Sequence, residues 1–427
     1  MRWTTAAAVS VSVLLASPLG AAAEDRATEA PPARTGGILT RSALSGDWGG
    51  LRTDLAAKGI TFDSSLTQIG QGVVDGGTDG TWEYGGRGDL TANLDTGKLG
   101  LWPAGFLTVE LEGNWSNSVN GKTGALMAAN ANQLFPESSG SNVALPNLSF
   151  AQFFCRYAGA VVGKLQTVSS GDMNEFAHGK GDTQFFNLAF NMNPVGLVIP
   201  YSTLGAGAIV LPTADPDEAI INFNVFSATG TASDAGFDNI NGAIFVGAGR
   251  LLTRFGGLTG HQLVGGLYSN KRYTSIDQRL GTVINNQPLA AHEGTWAAFY
   301  NFDQFLYETA PGSAKGLGLF GRFGASEGDP NPAQYFYSVG VGGKGLTPGR
   351  ELDQFGLGYF YLTVSSPTLQ NQIGDRDILD DEWGFEAYYN FALTPWLLVT
   401  ADVQVIGPSQ PGVSTATVLG FRAQVIL

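Results

Sequence analysis

A single cysteine, three histidines and a shortage of charge set the first limits on this chain. Cys155 stands alone in 427 residues, so no internal disulfide forms and the fold is not a disulfide scaffold. It lies in an aromatic-rich stretch and reads as a small buried or lipid-facing residue. His178, His261 and His292 are scattered without metal-ligand spacing, and none stands by a nucleophile as its base. No metal, cofactor or enzymatic chemistry is expected. Charged residues are 14% of the chain, against about 25% in an ordinary soluble protein, and the formal net charge of −14 speaks against nucleic acid as a partner. A spanning helix is also missing after the N-terminus. The uncharged stretch from Thr183 to Ala214 is interrupted by Pro194, Pro200 and Pro212 and is rich in Gly and Asn, which no helix survives.

What is present at the N-terminus is an export address. Arg2, the apolar run Ala6 to Ala16, Ser17-Pro18 and the small residues Ala21-Ala22-Ala23 have the layout of a secretory signal peptide over residues 1–23. Residues 24–43, rich in Ala, Pro and Thr near their start, read as a flexible leader. An exported, poorly charged chain without a further apolar helix has one remaining way to satisfy its backbone in lipid, a closed β-barrel.

The strand pattern agrees. Leu419, Phe421, Ala423, Val425 and Leu427 alternate with Gly420, Arg422 and Gln424, and successive residues of a strand point to opposite faces. Leu397, Val399, Ala401, Val403 and Val405 oppose Thr400, Asp402 and Gln404 in the same way. Trp383, Phe385, Ala387, Tyr389 and Phe391 oppose Glu382, Glu386 and Asn390. Alternation and turn residues predict about sixteen strands. They fall near 61–73, 82–96, 104–117, 148–158, 159–167, 197–212, 217–229, 242–255, 261–274, 294–308, 315–327, 334–346, 353–366, 382–393, 396–408 and 415–427. Most are longer than a soluble strand and suit a bilayer crossing.

Connection length sorts the two ends. With the N-terminus in the periplasm, every second connection, such as Ala158–Gly159 or Leu393–Trp396, is short. The others include 118–147, 168–196, 275–293 and 367–381, which are long. Short turns inside and long loops outside are the habit of outer-membrane barrels. Loop 168–196 carries Gly171-Asp172-Met173-Asn174, His178-Gly179-Lys180-Gly181-Asp182 and Phe185-Phe186. Being partly apolar, it is expected to fold into the barrel and narrow it; the alternative is a surface loop packed on a neighbouring subunit.

Residues Leu44 to Ile60 read Leu-Ser-Gly-Asp-Trp-Gly-Gly-Leu-Arg-Thr-Asp-Leu-Ala-Ala-Lys-Gly-Ile, with Gly46, Asp47, Trp48, Gly49, Gly50 and Arg52 as the marked positions. This resembles the N-terminal signature of the OprB family of carbohydrate-selective porins. Glu386-Ala-Tyr-Tyr-Asn390, Leu393-Thr-Pro-Trp396, Asp402-Val-Gln404 and Gly407-Pro408 resemble that family's closing strands. The resemblance implies a transmembrane antiparallel barrel of sixteen strands over 61–427 in a Gram-negative outer membrane. It implies short helical structure over 44–60 on the periplasmic side and passive diffusion of monosaccharides and small oligosaccharides. There Ser45 or Asp47 would cap a helix that carries Trp48 and Leu51 in its first turn and stops at Gly59. The chain ends on Leu427 where barrels often end on Phe. Its alternate apolar pattern still suits recognition by the barrel-assembly machinery.

Charges on lipid-facing strand positions cost about 2–4 kcal/mol for Arg or Lys at the midplane, so strand charges should face the lumen. On this rule Trp82, Tyr84, Leu90, Ala92 and Leu94 face lipid while Glu83, Arg87, Asp89, Asn93 and Asp95 face inward. Glu110 and Glu112 oppose Leu107, Val109 and Leu111; Lys164 and Gln166 oppose Val161 and Leu165; Arg322 opposes Leu319 and Phe323. A lumen of both signs suits a neutral polar solute, since weak donors and acceptors hold it without stalling release. Arg87, Glu110, Lys164, Arg322, Glu386 and Arg422 are the candidate sugar contacts, with a wall-stiffening salt bridge as the alternative for each.

Gly340-Val-Gly-Gly-Lys-Gly345 and Gly121-Lys-Thr123 imitate nucleotide-binding strings, but neither sits between a strand and a helix, so both read as strand-end and loop glycines. The other readings that remain are a general or anion-selective porin and a plugged structural barrel. Association into homotrimers stays open, because lipid-facing and subunit-facing apolar strands look alike.

Overall fold

The computed structural model describes residues 34–136, 143–168, 174–237, 240–365, 368–370 and 376–427. The signal peptide at 1–23, the first half of the leader, and Gly171, Asp172 and Met173 of the long loop lie outside them. Sixteen antiparallel strands close into one barrel, each paired with its chain neighbours and the last with the first. They are β1 (Ile60–Gly77), β2 (Trp82–Asp95), β3 (Gly105–Ser116), β4 (Val143–Cys155), β5 (Ala158–Gln166), β6 (Ser202–Val210), β7 (Ala219–Ser227) and β8 (Ala243–Phe255). The second half is β9 (Leu258–Thr274), β10 (Ala291–Glu308), β11 (Gly316–Ser326), β12 (Ala333–Lys344), β13 (Gln354–Val364), β14 (Glu382–Thr394), β15 (Leu397–Gly407) and β16 (Ser414–Ile426). Pairs such as Leu66 with Val425 and Gln71 with Gly420 make the seam. Closure leaves no unpaired strand edge, which a hydrocarbon environment would penalise.

Alternation decides the faces, as expected everywhere but in β5, where Val161 and Leu165 turn inward and Lys164 outward. Tyr84, Leu357 and Phe421 are exposed on the outside, while their neighbours Arg87, Gly358 and Arg422 turn inward and are covered. β4 begins at Val143, ahead of the expected 148, and β6 starts only at Ser202 rather than 197, because Leu197 to Tyr201 continue as turn and bend from the 3-10 segment Pro194–Gly196. Cys155 is exposed at the end of β4.

The Gly-Asp-Trp-Gly-Gly motif does not make the first helical turn. Trp48–Gly50 is a 3-10 turn, and Gly49 and Gly50, at φ 69° and 99°, hold left-handed backbone before α1 (Leu51–Ala57) begins. Asp47 instead accepts the amide and hydroxyl of Thr53, at 3.0 and 2.9 Å. Gly59, at φ 92°, ends the helix as expected. Buried Arg52 donates to the carbonyls of Phe62 at 2.7 Å, Leu427 at 3.0 Å and Gly46 at 3.4 Å, with its guanidinium 4.8 Å from the Trp48 ring centre. The amide of Leu44 donates to Ile426 and that of Leu427 to Ser64, so the motif ties the first strand to the last.

Candidate functional site

Two long connections fold into the barrel and fill much of it. The one between β5 and β6, which the sequence marks through Phe185-Phe186, crosses the lumen over residues 174–201. Beside it lies the connection between β3 and β4, whose inward fold the sequence reading missed. Its Ala129 carbonyl accepts from Gln71 and Gln404 at 3.1 and 2.9 Å, and Glu382 accepts from the amides of Leu126 and Met127 at 2.6 and 2.9 Å.

On one wall, β2 and β3 place Arg87, Asp89, Glu110 and Glu112 at inward positions, with Asp89 opposite Glu112 in the ladder. Arg87 donates to Asp182 of the β5–β6 loop at 2.6 Å and lies 3.1 Å from Asp89. Lys180 of the loop enters between Glu110, at 3.2 Å, and Glu112, which the Tyr201 hydroxyl also reaches. Oxygens of Asp89, Glu110 and Glu112 lie within 4.8 Å of one another, and the Lys180 ammonium sits among them, 3.8 Å from Asp89. Burial works against the Lys180 charge, but Glu110 and Glu112 outweigh it and hold the ammonium well above the ordinary lysine range.

The opposite wall grips the same loop through its backbone. Arg422 donates to the carbonyls of Gly181 and Gln184 at 2.7 and 2.8 Å, with its guanidinium 4.3 Å from the Phe186 ring centre. Arg322 donates to the Ala177 carbonyl. Glu386 accepts the amides of Phe186 and of Asn187, the latter at 2.9 Å. Charge-assisted bonds of this kind, away from bulk water, are the strong ones.

This geometry changes the meaning of the candidate residues. Arg87 and Arg322 are 0% exposed and Arg422 and Glu386 1%, so each faces the loop rather than the water path. Glu110, at 8%, lies almost as deep. These five are covered by the loop, which sequence alone cannot tell, because inward parity does not say what fills the lumen. Lys164 is corrected outright. Its ladder partners are Leu148 and Leu204, on the side away from interior Val161 and Leu165. Its ammonium is capped there by the carbonyls of Ala232, at 3.0 Å, and Asp234.

The rest of the loop is held by apolar packing that the expectation of a polar lumen did not foresee. Phe176, Phe185 and Phe190 of the loop pack with inward-facing Phe305, Phe320, Phe360 and Tyr388. Inward glycines of β11 to β13 make the socket. A Cβ on Gly318 or Gly342 would meet Phe176 at 2.3 or 2.6 Å, one on Gly356 Phe185 at 2.7 Å, and one on Gly358 Phe190 at 2.4 Å. Gly340 and Gly342, from the string that imitates a nucleotide fingerprint, lie inside β12 and take rings, not phosphate. Glycine at alternate strand positions facing a phenylalanine-bearing loop was the available signal.

Among known proteins, the profile of the carbohydrate-selective porin, OprB family, matches residues 79–427. Porin B of Pseudomonas aeruginosa is 25% identical over 90% of this chain and 91% of its own length. A high-pH structure of Pseudomonas putida OprB superposes with a TM-score of 0.77 at 21% identity, covering 90% of this chain and 98% of that one. Its low-pH counterpart gives 0.56 at 19% identity over the same shares. With a loop-narrowed barrel, a seam latched by the N-terminal motif and a family match over most of its length, this chain belongs to the OprB family of carbohydrate-selective porins, which are passive diffusion channels and not enzymes.

Proposed function

We propose that the chain carries neutral monosaccharides, glucose-like in size, and small oligosaccharides across the outer membrane of a Gram-negative cell, down their gradient. The carrying observation is the in-folded loop, clamped by both signs of charge across the lumen. A passage narrowed by fixed, internally compensated charge gives little advantage to ions of either sign. It offers hydroxyl-rich solutes many weak partners. Arg87, Glu110, Arg322, Glu386 and Arg422 serve this by setting the loop's position, and through it the width of the path.

Residues 1–23 act as the signal peptide, with 24–43 as leader, 44–60 as the periplasmic latch and 61–427 as the multi-pass barrel. The barrel-assembly machinery reads the closing strand, and membrane lipid covers the outer belt. If copies join as homotrimers, β5 to β7 offer the place. Small outward residues Ala160, Ala206 and Ala208 leave an apolar hollow there, between Phe150, Phe154 and Phe223.

Liposome swelling tests the reading. Vesicles containing the protein should swell quickly in glucose and arabinose, more slowly in maltose, and slowest in a charged solute of glucose size. Equal rates for the neutral and the charged solute would point to a general porin, and no swelling to a plugged barrel.

A further inference from the structure

Where the loop reaches the short-turn end of the barrel, it leaves a cavity of about 130 Å³ against β12, β13 and β14. Glu175 and His178 come from the loop, Lys344 from β12, Gln354 from β13 and Tyr388 from β14, with Phe176 alongside. Nothing in the clamp described above uses the first four as wall-to-loop ties. The side chains of Glu175, Lys344 and Gln354 make no hydrogen bond among the described residues. His178 gives Nδ1 to the Asn174 carbonyl at 2.6 Å, so a neutral ring presents the lone pair of Nε2. Burial pushes His178 down, which keeps that ring neutral, and pushes Glu175 up to about 7, with Asp303 adding to the rise and Lys344 and Arg250 opposing it.

A site with uncommitted polar groups beside aromatic faces describes a ligand with hydroxyls on its rim and C–H bonds on its face. Size narrows it further. At about 130 Å³, close to the roughly 150 Å³ that takes a bare benzene ring, the space admits one ring and no second, and because it is open on one side the outer hydroxyls of a pyranose project out of it. Charge narrows it again, since above pH 7, where Glu175 is ionised, it offsets Lys344 and leaves no excess for a sugar phosphate or a uronate.

We propose that this cavity is a subsite for one neutral pyranose ring, reached directly from the short-turn mouth and lying beyond the charged clamp. The proposal rests on the carbohydrate reading above and assigns it a place. Lys344 donates to ring hydroxyls, Glu175 and His178 Nε2 accept from them, and Gln354 does both. Phe176 and Tyr388 cover the C–H face. Because the groups come from the loop and from the wall together, the subsite exists only while the loop is folded in.

The test is glucose titration of single-channel current with the full-length protein in planar bilayers, comparing wild type with Lys344→Met, Gln354→Ala and, as control, Arg272→Ala at an exposed surface pair. Loss of a charged or buried hydrogen-bonding partner should raise the half-blocking glucose concentration roughly tenfold in the first two and leave the control at the wild-type value. Glucose on the short-turn side should also show the faster block. Wild-type block that persists unchanged in both variants overturns the subsite and leaves the carbohydrate reading standing. A wild type that conducts but is never blocked by glucose overturns that reading, and the subsite with it. Should Lys344→Met fail to give the compact electrophoretic form, Gln354→Ala, a change at a partly exposed position, decides alone.

Discussion

Single residues in this barrel do their work by what they leave satisfied. Arg52 closes the seam with one guanidinium on carbonyls from β1, the last residue and the motif itself. Arg52→Ala strands those acceptors, and the folded form should lose about 2–4 kcal/mol, read as a lower temperature for the shift from compact to unfolded mobility in electrophoresis. Single-channel conductance should stay near wild type, because the latch lies outside the clamp. A second prediction concerns Glu175. Burial raises its folded value to about 7 from 4.5, so the packed loop holds a proton that a released loop gives up between those values. Packing is therefore firmest below pH 4.5 and weakens as pH rises to 7. Amide exchange in residues 174–187, corrected for its intrinsic pH dependence, should quicken over that interval; a flat profile would remove Glu175 from the balance. Lys164, on the outer side of its strand, should be replaceable by Met without change in sugar block.

At the scale of the element, the loop between β5 and β6 is held inside the barrel in two ways. Polar ties fix its course, and glycine-for-ring packing fixes its depth. Arg422→Ala removes the bonds to Gly181 and Gln184 and leaves two buried carbonyls short of donors, a loss of about 3 kcal/mol to the in-folded state. Conductance should rise and become noisier, and discrimination between glucose and a larger sugar should fall in the swelling assay. Gly358→Ala acts from the opposite direction, by filling the place of the Phe190 ring. Overpacking of this kind costs about 1–3 kcal/mol, so the loop should shift while every polar tie remains available. If both variants conduct as wild type does, the loop is not what limits the passage. The number of strands and most of their faces were legible in the sequence because the side-chain period of a strand is local, while the starts of β4 and β6 and the facing of β5 were not. The inward fold of the β3–β4 connection was not, since Gln71, Glu382 and Gln404 meet its backbone only after the barrel has closed.

For the whole molecule, apolar residues do two separate jobs. Phe421, Tyr84 and Leu357 are exposed on the outside of the barrel, while Phe185, Phe320 and Phe360 build a core inside it. Alternation along each chain segment, the long and short connections, and the two terminal motifs together determined the architecture, the family and the orientation of the faces. Each of those is a property of neighbours in sequence or of a linear pattern. What only the tertiary structure decided is what the lumen contains. Arg87, Arg322 and Arg422 point inward from strands far apart in the chain, and whether they meet water, sugar or a loop depends on how far that loop descends. Its depth is a balance of long-range packing and buried charge, and such terms acquire a value only when segments distant in sequence occupy the same space.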